Sequence, residues 1–266
     1  MENKTLHKGK IVKFENLVWN EREGCMMAKP ISAGETSENI TCIVVNIPAG
    51  STWKSCNIGK TREIIVVNHQ GNGTCTVDVQ EKDFREHDTL FSPTGTHYSV
   101  SADKGEDMRI FVWQSLATKT TKFSNNPRYF DNLYNDEIQL KGFQGNKKLG
   151  ENANPANMNF LVWPGTGSGH LSLHCGIQEN GQSFSVHSHE ESEELFIGVE
   201  GSGEVYLNGE WHKFNAGDVL YSPQKLTHGT RNPFKEDSDE RFVTCGGPVP
   251  FDKSFYMSAN VSAEVK

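Results

Sequence analysis

Short stretches of the chain alternate apolar and polar residues or run through β-branched residues, and Gly, Pro, Asn and Asp separate them. Their spacing, about ten residues, is typical of an all-β sandwich or barrel, and helical periodicity is scarce. An Asn-Gly pair at 208–209 predicts a two-residue hairpin turn, because both residues accept positive φ. We expect strands at 41–47, 63–67, 109–113, 194–198 and 204–207.

The pattern in the first half of the chain recurs in the second half. Residues 70–73 overlay 200–203 and residues 87–93 overlay 217–223 at an offset of 130, whereas Glu63 overlays Glu194 at 131. Such self-similarity indicates a duplicated β unit. We expect one domain at 1–118, a linker rich in Asn, Lys, Gly and Pro at 119–159, and a second domain at 160–266.

Composition and charge argue against a nucleic-acid-binding or membrane-bound protein. The chain has 34 acidic and 26 basic residues, a net charge of -8 and no Lys/Arg cluster, so we expect no nucleic-acid partner. It has a polar start and no apolar run of about 18 residues. These features predict a cytoplasmic protein that is not bound to membrane.

The cysteines contain no C-x-x-C pair, which favours free and mostly buried thiols over a metal or disulfide framework. They are Cys25, Cys42, Cys56, Cys75, Cys175 and Cys245.

Four residues of the second unit have the chemistry of a metal site. His187 and His189 are two positions apart, so on a strand they face the same side. Glu194 begins the next predicted strand, and His228 follows a turn that brings a third strand alongside. Three imidazoles and a carboxylate suit one divalent transition metal, whether Fe, Mn, Ni, Cu or Zn.

The spacing of these residues resembles the two cupin motifs. The first is Gly181-(5 residues)-His187-Ser-His189-(4 residues)-Glu194-(6 residues)-Gly201, and the second is Gly217-(5 residues)-Pro223-(4 residues)-His228-(3 residues)-Asn232. Lys225 replaces a Gly that is usual in the second motif. The resemblance implies a bicupin, with two tandem antiparallel jelly-roll barrels and the metal held by the four residues in the C-terminal barrel.

The first copy departs from the motif. Cys56 and Ile58 stand at the positions of the two motif histidines, while Glu63 and His97 overlay the motif Glu and the last His. Because Ile58 cannot coordinate, we expect a metal-free barrel that supports the second one. A zinc ion held by the thiolate, the carboxylate and the imidazole is the alternative, and a reactive Cys56 thiol is another.

Other residues near the motifs receive simpler assignments. Strand alternation places Phe196 on the Glu194 side and Thr230 on the His228 side, whereas Arg231 faces away. An aromatic residue near the ion suits a flat or apolar substrate. Ordinary structural or exposed roles are expected for His69, His170, His174 and His212.

Three classes of function compete. An ion with about one net positive charge, held by three neutral imidazoles and one carboxylate, favours a small substrate with an anionic oxygen. The first class is a dioxygenase-type oxidoreductase, which the resemblance to cupin dioxygenases favours. The second is an isomerase, lyase or decarboxylase that forms an enolate, with Glu194 as a catalytic proton acceptor in either enzyme class. The third is a small-molecule binding or storage protein. Exposed sheet edges make a homodimer the expected assembly.

Overall fold

The computed structural model describes residues 8–54, 62–115, 127–141 and 154–253, and these residues form an all-β fold. Two short 3₁₀ turns, Phe14–Asn16 and Pro164–Thr166, lie between the strands. Over the same residues, no helix has the length and apolarity needed to cross a bilayer. The predicted fold class is confirmed.

The strands cover both halves of the chain, and all five predicted strands are among them. In chain order they are β1 (Lys10–Val12), β2 (Asn20–Arg22), β3 (Cys25–Ile31), β4 (Ile40–Ile47), β5 (Thr52–Lys54), β6 (Ile64–Gln70), β7 (Gly73–Val77), β8 (Gln80–Phe84), β9 (Asp88–Ser92), β10 (Tyr98–Ala102), β11 (Met108–Ser115), β12 (Phe130–Asn132), β13 (Gln139–Leu140), β14 (Asn157–Val162), β15 (Leu173–Gln178), β16 (Ser183–His187), β17 (Glu193–Glu200), β18 (Ser202–Leu207), β19 (Glu210–Asn215), β20 (Val219–Ser222), β21 (His228–Arg231) and β22 (Phe242–Val249).

Each barrel pairs a seven-stranded sheet with a four-stranded sheet. In the first barrel the orders are β12-β9-β6-β11-β4-β3-β2 and β5-β10-β7-β8. In the second they are β1-β20-β17-β22-β15-β14-β13 and β16-β21-β18-β19. The two barrels therefore have the same arrangement, as the internal repeat predicts.

The edge strands are exchanged between the barrels, and this differs from the predicted domain boundaries. β1, which those boundaries place in the first domain, pairs with β20 of the second barrel. β12, which they place in the linker, pairs with β9 of the first barrel, and β13 also leaves the linker to pair with β14. Strands of two or three residues carry too short a hydrophobic pattern to reveal their partners.

The hairpin at 208–209 forms as predicted. β18 and β19 pair up to Leu207 and Glu210, and the two turn residues Asn208 and Gly209 have φ values of 54° and 97°. The turn thus takes the conformation for which Asn-Gly is favoured.

Apolar burial holds the two barrels together and fills them differently. A cluster between the seven-stranded sheets joins side chains of both barrels, such as Phe111 and Ile197. A single apolar cluster fills the first barrel. The second barrel contains two smaller clusters, around Phe160 and around Phe214. In the part of the chain that the structure describes, the apolar core of the second barrel is thus divided in two, whereas that of the first is continuous.

The cysteines within the described ranges are free and buried, as predicted, and Cys56 lies outside those ranges. Burial raises the pKa of the Cys42 and Cys175 thiols, which keeps them protonated.

Candidate metal centre

Three short segments of the second barrel bring the four motif side chains together. His187 ends β16, Glu194 is the second residue of β17, and His228 begins β21 directly opposite His187. His189 lies in the loop after β16, so the two motif histidines do not share a strand as the alternation predicted. Their ligand-type atoms nevertheless lie within 4.8 Å of one another.

One carboxylate oxygen lies at the centre of this group. Glu194 Oε2 is 2.5 Å from His228 Nε2, 3.1 Å from His189 Nε2 and 4.0 Å from His187 Nε2. Glu194 is 4% exposed, so little water reaches these atoms. A carboxylate oxygen and imidazole nitrogens this close need a cation between them, either protons or a metal ion.

Each imidazole is held through its other nitrogen. A carbonyl or carboxylate oxygen only accepts hydrogen bonds, so each Nδ1 carries a proton and donates it. The acceptors are the Ser185 carbonyl for His187 (2.8 Å), the Leu226 carbonyl for His228 (3.0 Å) and the Asp252 carboxylate for His189 (2.8 Å). Metal-binding histidines usually donate one ring N–H to an acceptor of this kind, and the other nitrogen, here Nε2, then faces the ion. The donor set thus fits a divalent transition metal.

The electrostatic environment separates the pKa values of these groups. Burial and the neighbouring His228 and His189 lower the pKa of His187 to about 3. Burial opposes the charged form of His189, but hydrogen bonds to Asp252 and Glu194 outweigh it and raise its pKa to about 9. Burial likewise opposes ionised Glu194, yet His228 and His189 hold its pKa well below the usual range.

We expect metal binding near neutral pH to release a proton from His189. Below pH 9 this imidazole is protonated, so an ion that takes its Nε2 must displace the proton. The affinity should rise by about tenfold per pH unit and level off near pH 9. Calorimetry in buffers of different ionisation enthalpy measures the proton directly. Asp252→Asn should reduce the release, because Asp252 raises this pKa; release that is independent of pH and of Asp252 would contradict the assignment.

A cavity opens beside His187, Glu194 and His228. Its lining is mostly apolar or small and includes Met158, Gly176, Phe184, Phe196, Gly229, Thr230, Thr244 and Gly246. Phe196 and Thr230 face the site as strand alternation predicted, and Arg231 points away to stack on Trp211 at 4.1 Å. Among the described residues, no Lys or Arg lines this cavity.

Sequence reasoning missed two residues of the site. His174, for which an ordinary role was expected, lines the cavity with its Nε2 3.5 Å from Glu194 Oε1. Burial lowers the pKa of His174 to about 4, so the ring is neutral at pH 7. Asp252 supports His189 from the far end of the chain. Neither residue belongs to the motif spacing; the tertiary fold alone brings them to the site.

The first barrel has an apolar residue where the second has the motif carboxylate. Ile64 pairs with Ser92 as Glu194 pairs with Ser222, so Ile64 and not Glu63 is the equivalent of Glu194. Ile64 is fully buried inside the first barrel. The overlay of Glu63 on Glu194 is therefore wrong by one residue, and a one-residue shift moves a side chain to the other face of a sheet.

The same shift applies to His97. Tyr98 begins β10 as His228 begins β21, and Tyr98 is buried whereas His97 is exposed. Cys56 and Ile58 lie outside the described residues. Among those described, the second barrel holds the one His/Cys/Asp/Glu group close enough for a metal ion.

Sequence comparison relates the second barrel to known proteins. Residues 173–239 match the family described as cupin domain. Over 67 residues, the chain is 36% identical to dimethylsulfoniopropionate lyase DddW of Ruegeria pomeroyi. This match covers 25% of the chain and 44% of that relative, so it spans less than half of the relative's length.

Solved structures share the whole fold at low sequence identity. Ylba from E. coli has a TM-score of 0.68 and 14% identity, over 94% of this chain and 96% of that chain. A cupin 2 conserved barrel domain protein from Leptotrichia buccalis has 0.60 and 12%, over 93% and 99%. Bacillus subtilis oxalate decarboxylase, which has Mn(II) centres, has 0.65 and 13%, over 94% and 79%. Residues 173–239 thus match the cupin domain family, and the solved structures show that the whole chain has the fold of these two-barrel proteins.

Proposed function

We propose that the second barrel binds one divalent transition metal ion through His187, His189, Glu194 and His228 and works as a lyase on a small carboxylate. One observation carries the proposal: three imidazoles, each held through Nδ1, converge on a buried carboxylate at the wall of a cavity. When bound, the ion would act as a Lewis acid that stabilises negative charge on a substrate oxygen.

The charges around the cavity favour a substrate with one carboxylate. Glu194 would leave an ion of charge +2 with about one net positive charge, which one substrate carboxylate neutralises. No Lys or Arg in the described part of the cavity wall offers a second fixed cation for a dianion.

The apolar wall suits the rest of such a substrate. Met158, Phe184 and Phe196 exclude water and would contact its non-carboxylate end. An aromatic ring face also attracts an onium group through cation–π interaction. A zwitterion with a carboxylate at one end and a sulfonium at the other fits both halves of the cavity.

The lyase reaction requires a proton acceptor beside the carbon next to the substrate carboxylate. Besides the proposed ligands His187 and His228, the groups of the cavity wall with this chemistry are Glu194 and His174, whose facing atoms are 3.5 Å apart. We assign the proton transfer to this pair. Removal of the proton expels the leaving group from the neighbouring carbon and forms a carbon–carbon double bond.

Dimethylsulfoniopropionate, for which the DddW relative is named, is the first substrate to test. Protein loaded in turn with Mn(II), Fe(II), Ni(II), Cu(II) and Zn(II) should release dimethyl sulfide, measured by gas chromatography, and equal amounts of acrylate. The yield should be the same under strict anaerobiosis, because elimination consumes no oxygen. Metal-free protein is the control, and failure of every loaded form would reject this substrate.

The dioxygenase activity stays a second candidate, because imidazole-rich sites also support oxygen chemistry. Oxygen uptake with diketones, catechols or flavonoid-like phenols, combined with loss of turnover under anaerobiosis, would favour it over the lyase. Oxalate tests the decarboxylase alternative, with release of carbon dioxide as the readout.

A further inference from the structure

A second carboxylate, next to Glu194 in the chain, joins the two barrels. Glu193 points away from the barrel interior, as alternation along β17 requires, and it is 1% exposed. Its carboxylate accepts hydrogen bonds from three consecutive backbone N–H groups of the first barrel and from one hydroxyl. The donors are Glu38 N (2.9 Å), Asn39 N (2.8 Å), Ile40 N (3.0 Å) and Tyr221 Oη (2.9 Å).

The first barrel makes the reciprocal contact. Glu63 directly precedes β6 as Glu193 begins β17, and its buried carboxylate accepts from a loop of the second barrel. The donors are again three backbone N–H groups and a hydroxyl: Gly169 N (2.6 Å), His170 N (2.9 Å), Leu171 N (3.1 Å) and Ser168 Oγ (2.8 Å). Each carboxylate therefore accepts three backbone N–H groups from the opposite barrel, whereas the hydroxyl comes from the opposite barrel for Glu63 (Ser168) and from the same barrel for Glu193 (Tyr221).

The two contacts differ in the residue that follows the carboxylate. After Glu63 comes Ile64, which packs in an apolar interior. After Glu193 comes Glu194, which presents its carboxylate to the imidazoles.

Glu194 lies near the end of β17, which is paired with β22 and β20. On one side its partner is Pro248, which has no N–H to give to the ladder. On the other side its partner is Ser222, the last residue of β20. The four hydrogen bonds of Glu193 add side-chain restraints to this end of the strand, which carries Glu194.

We propose that Glu193 is a positioning residue for the metal centre: the first barrel holds the Glu194 carboxylate in place by binding its neighbour. The proposal rests on the metal site of the proposed function. The first barrel would thus help to position a ligand of the metal site, although none of its own described residues is a ligand.

Paired variants test this role, because Glu193→Gln and Glu63→Gln remove one acceptor oxygen from equivalent contacts. We expect similar losses of thermal stability in the two. The dissociation constant for Zn(II), measured by chelator competition, should rise about tenfold in Glu193→Gln. This factor is at the lower end of the affinity losses caused by mutating residues that hold metal ligands in place. In Glu63→Gln the dissociation constant should stay at the wild-type value. The absorption spectrum of bound Co(II) should change in Glu193→Gln alone.

A purely structural role predicts equal Zn(II) affinity and unchanged Co(II) spectra in both variants, and this result would overturn the proposal. If wild-type protein binds neither ion, the metal site itself is rejected, which is a different failure. Tyr221→Phe removes a single hydrogen bond to Glu193 and serves if Glu193→Gln does not fold. It should weaken Zn(II) binding in the same direction by a smaller factor, and wild-type affinity in that variant would overturn the proposal.

Discussion

His228→Ala is expected to reduce the metal content of the purified protein from one ion per chain to near zero. His228 Nε2 makes the shortest contact to Glu194, at 2.5 Å, and its ring is held by the Leu226 carbonyl. A small side chain leaves the Glu194 carboxylate without this partner. We expect the loss of metal affinity to be well above the roughly 100-fold loss that follows mutation of residues that only hold the ligands in place. Elemental analysis of protein prepared without chelator measures the effect.

The fold should survive this substitution, because the barrels rest on the apolar clusters between and within them. Circular dichroism and the unfolding temperature check this point. His97→Ala is the matched control: the sequence repeat suggested His97 as the counterpart of His228, but Tyr98 takes that position and His97 is exposed. It should leave metal content unchanged. Normal metal content in His228→Ala, or loss of metal in His97→Ala, would refute the site.

Glu63→Ala is expected to destabilise the protein strongly while leaving metal content unchanged. The substitution leaves three backbone N–H groups and the Ser168 hydroxyl without their buried acceptor. An unsatisfied buried donor costs about 1–3 kcal/mol, and water entering the gap recovers part of it. We expect a loss of about 4 kcal/mol, which lowers the unfolding temperature by about 10 °C in a chain of this size.

Ser168→Ala provides the graded comparison, because it removes one of the four donors and leaves the carboxylate three partners. Its unfolding temperature should fall by a few degrees at most. Scanning calorimetry of both variants, with metal content measured on the same samples, separates stability from the site. Loss of metal in Glu63→Ala would show that Glu63 serves the metal centre, as the alternative zinc site in the first barrel requires.

Local sequence patterns predicted many elements of the fold. Alternation and β-branched runs predicted the strands that became β4, β6, β11, β17 and β18, and Asn208-Gly209 predicted its hairpin turn. These features depend on the conformational preferences of neighbouring residues, so they can be predicted from the sequence. The motif spacing also selected the four side chains that the structure brings together.

Register in the first barrel was harder to predict. The repeat holds at offsets of both 130 and 131, and only strand pairing shows that Ile64 and Tyr98 occupy the inward positions. One residue of error moved Glu63 from the interface between barrels to a supposed ligand position. Sequence similarity does not resolve such a shift, because glutamate stands beside the critical position in both copies.

The sequence alone thus determined the fold class, the duplicated barrels and the four side chains of the candidate metal centre, since each follows from short spacings. The tertiary structure decided which barrel each edge strand joins, that Asp252 and His174 reach the site, and that Glu63 and Glu193 bind the opposite barrels. These contacts join residues far apart in the chain through backbone groups or single side chains. Their partners are chosen by the packing of two sheets, which leaves no periodic pattern in the sequence.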